Sequence, residues 1–359
     1  MDAASSNKPL ASKAATLPWV SVIILNYNGR EWMSRCLESL VAQTIFAHTQ
    51  VVIADNASTD GSDGLSQQLI AKWENALFVQ NGCNPGFGAG SNRAVKLATG
   101  KYLFFLNPDV WLEPDCVERL YTSAEENGGA VAGAVVLEYD DDTLQSRSGI
   151  GFDICGYAVT PPEDQIPEIL FVGCGFYFIR KELFERIGGY DEAFFLYGEE
   201  LDLSWRVWAA GERIFHVPTA KIHHRGAAAV NPKGGTKVVE IRTSESKRFY
   251  ANRNHLLTLL KDAQHALLLL LVPALILQFA EGLAGMVLSR RWSFFSRTFL
   301  AVVADCWRLR AHVLAERRRI RSLRRRSDFW MLRFFTWRFN RWRDWRIMLR
   351  LGLPVVDKR

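Results

Sequence analysis

Short apolar runs alternate with amphipathic stretches over the first hundred residues. The apolar runs occupy residues 20–25, 51–54, 78–79 and 102–106. After the first run, apolar side chains recur at helical spacing, namely Trp32, Cys36, Leu37 and Leu40. Strands that alternate with helices in this way are typical of βαβ units, so the pattern predicts a parallel sheet with helices packed on it. A further helix is predicted at about residues 92–98.

Beyond Gly129 the sequence becomes richer in strands. Candidate strands cover residues 130–137, 170–179 and 213–217, and a helix is predicted from about Glu199. The large apolar residues of this helix lie on one side, which favours core positions over sugar-stacking platforms, and they are Leu201, Trp205 and Trp208. We expect this half of the domain to shape an acceptor site.

The pattern changes again after about residue 250. Residues 266–279 are almost wholly apolar. Polar residues bracket them after only about fifteen positions, whereas a membrane-spanning helix needs roughly 20 apolar residues. A monotopic or re-entrant element is therefore at least as compatible with this segment as a span.

Charge and aromatic content set the last stretch apart. Residues 290–350 contain eighteen arginines, no lysine and four acidic residues, with Trp and Phe side chains between them. This composition is typical of helices that lie on an anionic membrane surface. It is also compatible with homo-oligomer formation through the aromatic side chains, or with binding of nucleic-acid phosphates.

The cysteines and the first residues indicate the cellular compartment in which the chain works. The six cysteines include no CxxC pair, which argues against a zinc knuckle or a disulfide framework and favours a reducing compartment. Residues 1–17 are polar and lack the apolar core of a secretion signal, so we expect a disordered leader. The 359 residues allow one large α/β domain with an appendage.

Acidic side chains follow the predicted strands where those strands end. Asp109 comes shortly after residues 102–106, and Asp55 closes residues 51–54. A second acidic cluster occupies residues 199–202. Because open α/β sheets bind ligands outside the carboxyl ends of their strands, this pattern predicts a site for a nucleotide sugar and a divalent metal ion.

Five segments together resemble the motifs of family 2 glycosyltransferases, in the family's order and at compatible spacing. They are residues 20–29, 55–62, 84–92, 106–109 and 189–203. Within the family, the resemblance is to the bacterial rhamnosyltransferase-like branch. It implies an α/β fold of the GT-A type, a Rossmann-like mixed sheet flanked by helices, over residues 18–250. Residues 251–359 would form a helical, membrane-associated region.

The resemblance implies a donor site at the ends of the first strands. Asp55 would accept a hydrogen bond from the imide nitrogen of a uracil or thymine base, although turn capping is the structural alternative. Gly86 and Gly88, on either side of Phe87, would let the backbone approach the ribose and phosphates. The alternative is an ordinary loop before a helix. The other implied donor-binding residues are Asn26, Asn28, Asn56, Gly86, Phe87, Asn92, Arg93 and Asn107.

The resemblance also implies a site for Mg²⁺ or Mn²⁺. Asp109 corresponds to the last acid of the family's metal-binding Asp-x-Asp element, in which Asn107 replaces the first acid. His224 stands where the family often has a metal-ligating histidine, and it is preferred to His223 because it lies two residues before a glycine. Carboxylate oxygen suits both ions, and imidazole is tolerated by Mn²⁺. The alternatives are a capping role for Asp109 and a pair of surface histidines.

An inverting sugar transfer needs one base to take the proton from the acceptor hydroxyl. By resemblance Glu200 is that base, and Glu199 is the competing candidate. Asp202 is the third acid of the cluster, and its spacing from Arg206 favours a structural ion pair. The acceptor would lie over the small-residue segment Gly173, Cys174 and Gly175. A tightly packed central strand explains these small residues equally well.

These residues lead to one expected function. The chain would transfer a sugar, rhamnose from dTDP-rhamnose being the leading choice, from a nucleoside diphosphate donor to a glycan or polyprenyl-diphosphate-linked glycan. It would work on the cytoplasmic face of the inner membrane as a peripheral or monotopic protein, with no nucleic-acid partner. Two other classes stay open: a membrane-surface or nucleic-acid-binding protein that uses the basic tail, and a nucleotidyltransferase, whose phosphate loop is poorly matched by residues 26–30.

Overall fold

The computed structural model describes most of the chain, and the predicted leader, residues 1–17, lies outside the described part. Described are residues 18–128, 130–146, 148–149, 151–159, 168–226, 242–337, 339, 341–352 and 354–357. The side chains of residues 343 and 344 are not described.

One large mixed sheet forms the centre of the molecule. Its strands stand in the order β3-β2-β1-β4-β10-β6-β11-β5, with β7 paired to β6. β3, β2, β1 and β4 are parallel, β10 is antiparallel to both of its neighbours, and β5 is antiparallel to β11. The strands are β1 (Val20–Asn26), β2 (Thr49–Asp55), β3 (Ala76–Gln80), β4 (Tyr102–Leu106), β5 (Val110–Leu112), β6 (Val131–Glu138), β7 (Leu144–Ser146), β8 (Gly151–Phe152), β9 (Ala158–Val159), β10 (Phe178–Arg180), β11 (Ile214–His224), β12 (Arg242–Ser244) and β13 (Val355–Asp357).

Helices cover both faces of this sheet and continue into a C-terminal helical region. They are α1 (Arg30–Val41), α2 (Ser62–Ile70), α3 (Phe87–Val95), α4 (Cys116–Glu126), α5 (Lys181–Arg186), α6 (Glu199–Ala209), α7 (Glu245–Asp262), α8 (Leu271–Ser289), α9 (Trp292–Phe295), α10 (Ala301–Arg308), α11 (Arg310–Leu323), α12 (Asp328–Met331) and α13 (Arg341–Leu351).

Apolar runs in the sequence become strands because both of their faces are buried. Alternate residues of a strand point to opposite faces, so β1 sends Ile23 into one hydrophobic cluster and Val22 and Ile24 into the other. Parallel strands covered by helices on both sides read as continuous apolar sequence. The predicted βαβ arrangement of the first hundred residues is confirmed.

Two predicted elements differ from the structure. The strand predicted at residues 170–179 is wrong over most of its length, because Gly173–Gly175 forms a 3-10 turn with φ of 60° at Cys174 and 78° at Gly175. Backbone with positive φ leaves the β region, so only Phe178–Arg180 pairs in the sheet. The helix predicted at about residues 92–98 begins earlier, at Phe87.

The C-terminal helices pack into the same core as the sheet. Trp208 of α6 contacts Trp330 and Phe334, with ring centroids 5.5 and 4.8 Å apart. The predicted domain boundary after residue 250 falls inside α7, whose buried leucines join the cluster that contains Trp205. The described residues on the two sides of this boundary therefore share one hydrophobic interior.

A buried ion cluster joins α7 to α6. Lys261 Nζ lies 2.5 Å from Asp202 Oδ1 and also contacts Asp191, and all three side chains are at most 3% exposed. Arg206 Nη2 binds the other oxygen of Asp202 at 2.5 Å. Burial alone would raise the pKa of Asp202, but Arg206 and Lys261 outweigh it and lower that pKa. The carboxylate is thus held charged inside the protein.

Replacing Lys261 with methionine removes the cation from between two buried carboxylates and keeps most of the side-chain volume. We expect the free energy of unfolding to fall by about 3–5 kcal/mol, because the loss of one partner leaves buried charge uncompensated. Urea denaturation followed by circular dichroism measures this change.

The matched control is Lys101→Met. Lys101 forms a surface pair with Glu125 at 2.7 Å, with the lysine side chain 53% exposed. Such a pair contributes at most about 1 kcal/mol. Equal and small effects of the two substitutions would show that the buried cluster does not anchor α7.

Candidate active site

Polar side chains at the ends of β1 and β2 are bonded to one another. Asn26 and Asp55 are paired in register at the carboxyl ends of these two parallel strands. Asn26 Nδ2 donates to Asp55 Oδ2 at 2.7 Å and to Ser62 Oγ at 2.8 Å. The parallel register thus brings the two predicted donor residues together, as expected for neighbouring strand ends.

Asp55 has its hydrogen-bonding capacity filled by the protein. Besides Asn26, its oxygens accept from the amide of Ser58 at 2.9 Å, the hydroxyl of Ser58 at 2.6 Å and Gln80 Nε2 at 2.9 Å. The side chain is fully buried. These contacts support the capping role of Asp55, and its contact with a nucleotide base stays a prediction.

Asn28 holds two strand-end loops together. It has a positive φ of 56°, which asparagine tolerates better than most residues. Its Oδ1 accepts from the amide of Thr59 at 2.8 Å, and its own amide donates to Ser58 Oγ at 2.9 Å. Tyr27, beside it, is 53% exposed.

Gly86 makes a close approach to another part of the protein. Its φ is 94°, and a Cβ at this position would lie 2.2 Å from the carbonyl oxygen of Phe195. That same oxygen accepts from the amide of Phe87 at 2.7 Å, and Asn56 Nδ2 donates to the carbonyl of Gly86 at 3.2 Å. The glycine is thus required for packing, and its predicted contact with ribose and phosphates stays untested.

Asn92 and Arg93 also bond to neighbouring segments. Asn92 accepts from the amide of Tyr190 at 3.0 Å and donates to the carbonyl of the same residue at 2.9 Å. Arg93 Nη1 donates to the carbonyl of Asn81 at 3.1 Å. Asn92 therefore fastens α3 to the segment before α6, whereas Arg93 is exposed.

Strand pairing brings Asp109 and His224 together. β5, which starts one residue after Asp109, pairs with the end of β11, and Val110 is opposite His224. The amide of Arg225 donates to the carbonyl of Asp109 at 2.9 Å. His224 Nε2 lies 3.4 Å from Asp109 Oδ2. The two predicted metal ligands are therefore neighbours.

Gln145 determines which nitrogen of His224 faces Asp109. The amide nitrogen of Gln145 donates to the carbonyl of His224 at 3.1 Å, so the other end of its side chain is an acceptor. That acceptor, Oε1, lies 2.7 Å from His224 Nδ1, which must therefore carry a proton. In the neutral imidazole the free lone pair is on Nε2, directed at Asp109.

The electrostatics of this pair favour a proton on His224, in the position that a bound cation would take. Burial lowers the pKa of His224, but hydrogen bonds and charge interactions with Asp109 and Cys174 together outweigh burial and raise that pKa to about 9. Burial raises the pKa of Asp109, but His224 together with backbone hydrogen bonds reverses this to a net lowering. One imidazole nitrogen and one carboxylate oxygen are a ligand set that Mn²⁺ accepts. Asn107, half-buried after β4, is the nearest amide in sequence.

His223 lies on the other face of β11. It groups with Glu113 and Asp142, whose ligand atoms all lie within 4.8 Å of one another and of the imidazole. Adjacent strand residues point to opposite faces, so His223 cannot join His224 beside Asp109. The placement agrees with the preference for His224 in the predicted pair.

The small-residue segment at Gly173, Cys174 and Gly175 lies between His224 and α6. Phe176 meets the ring of His224 edge to face, with centroids 4.9 Å apart. Tyr177, next along, shares a 2.5 Å hydrogen bond with Ser204 of α6. The turn predicted to bear the acceptor therefore connects the Asp109–His224 pair with the helix that carries Glu200.

Two acids open α6 after Gly198, which has a φ of 81°. Glu199 is buried, and burial followed by repulsion from Glu200 raises its pKa well above the usual value. Burial also raises the pKa of Glu200, which makes its carboxylate a stronger base. Asp202 is paired with Arg206 and Lys261 in the buried ion cluster, which agrees with the structural role expected for it.

Asn254 is a site residue that the sequence did not reveal. Its Nδ2 lies 2.9, 2.8 and 2.6 Å from the carbonyl oxygens of Phe194, Leu196 and Tyr197. This turn has positive φ at Phe195 and Tyr197 and leads directly into α6. Such conformations persist only where the surroundings hold them. Nothing in the sequence shows which turn Asn254 caps.

Many arginines of the basic tail are bonded within the protein. Arg317 Nη1 donates to the carbonyl of Ala263 at 2.7 Å, at the end of α7, and Arg324 contacts the carbonyl of Asp262. Arg326 Nη1 donates to the carbonyl of Glu212 at 2.7 Å. Arginine near a helix end satisfies carbonyls that have no intrahelical partner. These three arginines bond to the protein itself, and the predicted contact of the tail with a membrane stays a prediction.

Residues 21–188 match the Glycosyl transferase family 2 model. The chain carries a family 2 glycosyltransferase domain. The putative glycosyltransferase EpsH of Bacillus subtilis is 27% identical over 58% of this chain and 61% of its own length. The N-acetylglucosaminyl-diphospho-decaprenol L-rhamnosyltransferase of Mycobacterium tuberculosis H37Rv is 26% identical over 57% of this chain and 76% of its own length.

The share of each relative that the chain matches varies widely. It is 61% of EpsH but only 18% of the O-antigen biosynthesis protein RfbC of Myxococcus xanthus, which is 28% identical over 59% of this chain. The chain thus matches less than two thirds of the length of EpsH and of RfbC, and the names of these relatives are those of a glycosyltransferase and of an O-antigen biosynthesis protein. The predicted family resemblance is confirmed.

Solved structures confirm the GT-A fold. Staphylococcus aureus TarS 1–349 with UDP has a TM-score of 0.53 at 15% identity, covering 85% of this chain and 89% of its own. A Pyrobaculum calidifontis mannosyltransferase with GDP-Man and Mn²⁺ has a TM-score of 0.52 at 16% identity, covering 86% and 89%. At sequence identities of 15% and 16%, these similarities are evidence for the fold only.

Gly86→Ala tests the close approach of the loop before α3. We expect it to lower the free energy of unfolding by about 1–3 kcal/mol through overpacking against Phe195, in addition to the cost of its positive φ. Gly82→Ala is the control, since Gly82 has a φ of 72° but a Cβ there would meet no described atom within 4 Å. Chemical denaturation of both variants separates the two costs, and equal losses would show that the approach to Phe195 is unimportant.

Proposed function

We propose that the chain is a metal-dependent inverting glycosyltransferase acting on a nucleoside diphosphate sugar. The observation that carries the proposal is the Asp109–His224 pair at the carboxyl edge of the sheet, in which Asp109 belongs to the residues that match the family 2 glycosyltransferase model and β11 brings His224 beside it. The acceptor would be a glycan, or a glycan on a polyprenyl diphosphate, in cell-surface polysaccharide synthesis.

Asp109 and His224 would hold Mg²⁺ or Mn²⁺ together with diphosphate oxygens and water. The ion would offset the charge that develops on the departing nucleoside diphosphate. Mn²⁺ is favoured because one ligand is an imidazole, and two structural neighbours, the Pyrobaculum mannosyltransferase and GalNAc-T7, are described with Mn²⁺. To bind, the ion must replace any proton on Nε2 of His224.

The donor would lie across the ends of β1, β2 and β4. Asp55 would accept from the base, with Gln80 or Ser58 giving up a bond to it, and the polar neighbours of this edge would contact the ribose and diphosphate. These neighbours are Asn26, Asn28, Asn56, Gly86, Phe87, Asn92, Arg93 and Asn107. Rhamnose from dTDP-rhamnose is the donor sugar we favour, because of the similarity to the mycobacterial L-rhamnosyltransferase.

Glu200 would take the proton from the acceptor hydroxyl while its oxygen attacks the anomeric carbon and the diphosphate leaves from the opposite side. A pKa raised by burial suits a general base. Glu199 is the alternative base. The acceptor would rest over the turn that contains Gly173, Cys174 and Gly175, which lies between the metal ligands and α6.

The C-terminal helices would hold the enzyme on the cytoplasmic face of the inner membrane. Among the described residues, one helical segment, Ala266–Ser289, is long and apolar enough to cross a membrane. One side of it packs on the protein, whereas the other side is exposed at Leu269, Val272, Ile276, Phe279, Val287 and Leu288. A helix with one face packed and one apolar face open favours a monotopic arrangement.

A cavity of about 390 Å³ between α7, α8 and α13 supports a lipid-linked acceptor. Its wall is mainly apolar and includes Leu288, Phe294 and Met348, with Arg248 and Arg291 beside them. An apolar pocket with a few charged groups suits a ligand that joins a hydrocarbon chain to a phosphate.

The catalytic assignment predicts different defects for two substitutions. We expect Asp109→Ala to weaken Mn²⁺-dependent binding of the nucleotide sugar at least about tenfold, since it removes a metal ligand. Glu200→Gln should retain donor binding and lose turnover by about 10²–10⁴-fold, since it removes the base. Calorimetric titration with a panel of nucleotide sugars, followed by transfer and hydrolysis assays, measures both.

Glu74→Gln is the control for these assays, because Glu74 is exposed after α2. It should match the unchanged chain in binding and turnover. If no nucleotide sugar binds with either metal, the transferase proposal is overturned.

The membrane proposal predicts that charge on the open face of α8 weakens vesicle binding. For the double substitution Val272→Glu and Ile276→Glu we expect at least about a tenfold loss on anionic vesicles, because burying one such side chain is worth roughly 1.5–3 kcal/mol. Leu77→Glu is the control, since Leu77 is 44% exposed on β3, away from this face. Cosedimentation at low and high salt measures binding, and equal binding by all three proteins would contradict the proposal.

A further inference from the structure

His223 is held rigidly on the face of β11 opposite to His224. Its ring stacks on Trp111, with centroids 3.6 Å apart and planes 5° apart. The side chain is 2% exposed. Trp111, on the neighbouring strand β5, thus determines both the position and the plane of the His223 imidazole.

One hydrogen bond decides which ring nitrogen of His223 carries the proton. Nδ1 lies 3.1 Å from the carbonyl oxygen of Glu138. A carbonyl oxygen only accepts, so Nδ1 is the donor, and in the neutral ring the lone pair is on Nε2. Nε2 is buried and has no hydrogen-bond partner in the described part of the chain. A buried ring nitrogen left without a partner costs free energy, so its surroundings are informative.

Two carboxylates face this lone pair. His223 Nε2 lies 3.7 Å from Glu113 Oε1 and 3.9 Å from Asp142 Oδ1. A lone pair and two anionic oxygens repel one another unless a positive charge lies among them. Lys221 Nζ, 3.4 Å from Glu113 Oε1, offsets one of the two charges, but its side chain is 41% exposed and lies outside the group.

We propose that Glu113, Asp142 and His223 form a second divalent-cation site, distinct from the Asp109–His224 pair, with Zn²⁺ as its preferred ion. One imidazole nitrogen and two carboxylate oxygens are a common zinc ligand set, completed by water. The bond from Nδ1 to a backbone carbonyl is the contact that usually orients a metal-binding histidine. Zinc ligands lie about 2.0–2.2 Å from the ion, so the three groups must close slightly. Asp142, 84% exposed, has the freedom to do so.

The site would brace the strand ends that carry the catalytic pair. Glu113 directly follows β5, which begins just after Asp109, and His223 directly precedes His224 on β11. Asp142 lies in the loop between β6 and β7. A cation held by all three would therefore fasten β5, β11 and this loop to one another.

The test uses the full-length chain after removal of metal with a chelator. Zn²⁺ is titrated by calorimetry at pH 8, and Co²⁺ is used as a probe through its visible absorption. Asp142→Asn should lower Zn²⁺ affinity at least about tenfold and weaken the Co²⁺ band, since a ligand is altered. Asp140→Asn, on the same loop and also exposed, is the matched control and should change neither.

Two further variants separate this site from the catalytic pair and from misfolding. Asp109→Ala should leave the Co²⁺ band in place, whereas His223→Gln should remove it without changing the circular dichroism of the metal-free chain. The proposal is overturned if the band disappears with Asp109→Ala, or if Asp142→Asn and Asp140→Asn bind Zn²⁺ alike. It is also overturned if the unaltered chain binds Zn²⁺ only in the millimolar range, or if NMR shows a proton on Nε2 of His223 at saturating Zn²⁺.

Discussion

The position of α6 depends on one buried lysine. Lys261 of α7 neutralises Asp202 within α6 and Asp191 just before it, and these carboxylates lie where water cannot solvate them. Buried charges of this kind are stable only when paired, so Lys261 couples the position of α6 to that of α7, beside the pairing of Asp202 with Arg206. Asn254, on the same helix, caps the turn that leads into Glu199 and Glu200. The helical region is therefore part of what positions Glu199 and Glu200, the two acids proposed as the catalytic base.

The donor edge of the sheet is likewise held by contacts within the protein. Asn26, Asp55 and Ser58 bond to one another, and Asn92 fastens α3 to the segment that precedes α6. A set of hydrogen bonds that satisfies itself holds the strand-end loops in one arrangement.

Arginine in the tail has a structural role that composition does not reveal. Arg317 and Arg324 satisfy carbonyls at the end of α7, and Arg326 satisfies the carbonyl of Glu212 after α6, so these side chains attach the tail to the rest of the protein. The apolar side chains on the open face of α8 are left to face outward, with Trp292 and Trp307 also more than half exposed. The residues that attach the tail to the protein thus differ from the apolar residues that are exposed.

The sequence by itself determined the parallel half of the sheet, the acids at its strand ends and the family, because burial on both faces leaves continuous apolar runs and motifs are local. Tertiary structure decided the rest. His224 reaches Asp109 only through the pairing of β5 with β11, and Gln145 orients it from a strand that the apolar pattern did not show. The same holds for the left-handed backbone at Cys174 and for the partners of Lys261 and Asn254. These features depend on contacts between segments that are distant in sequence, and a local sequence pattern does not encode such contacts.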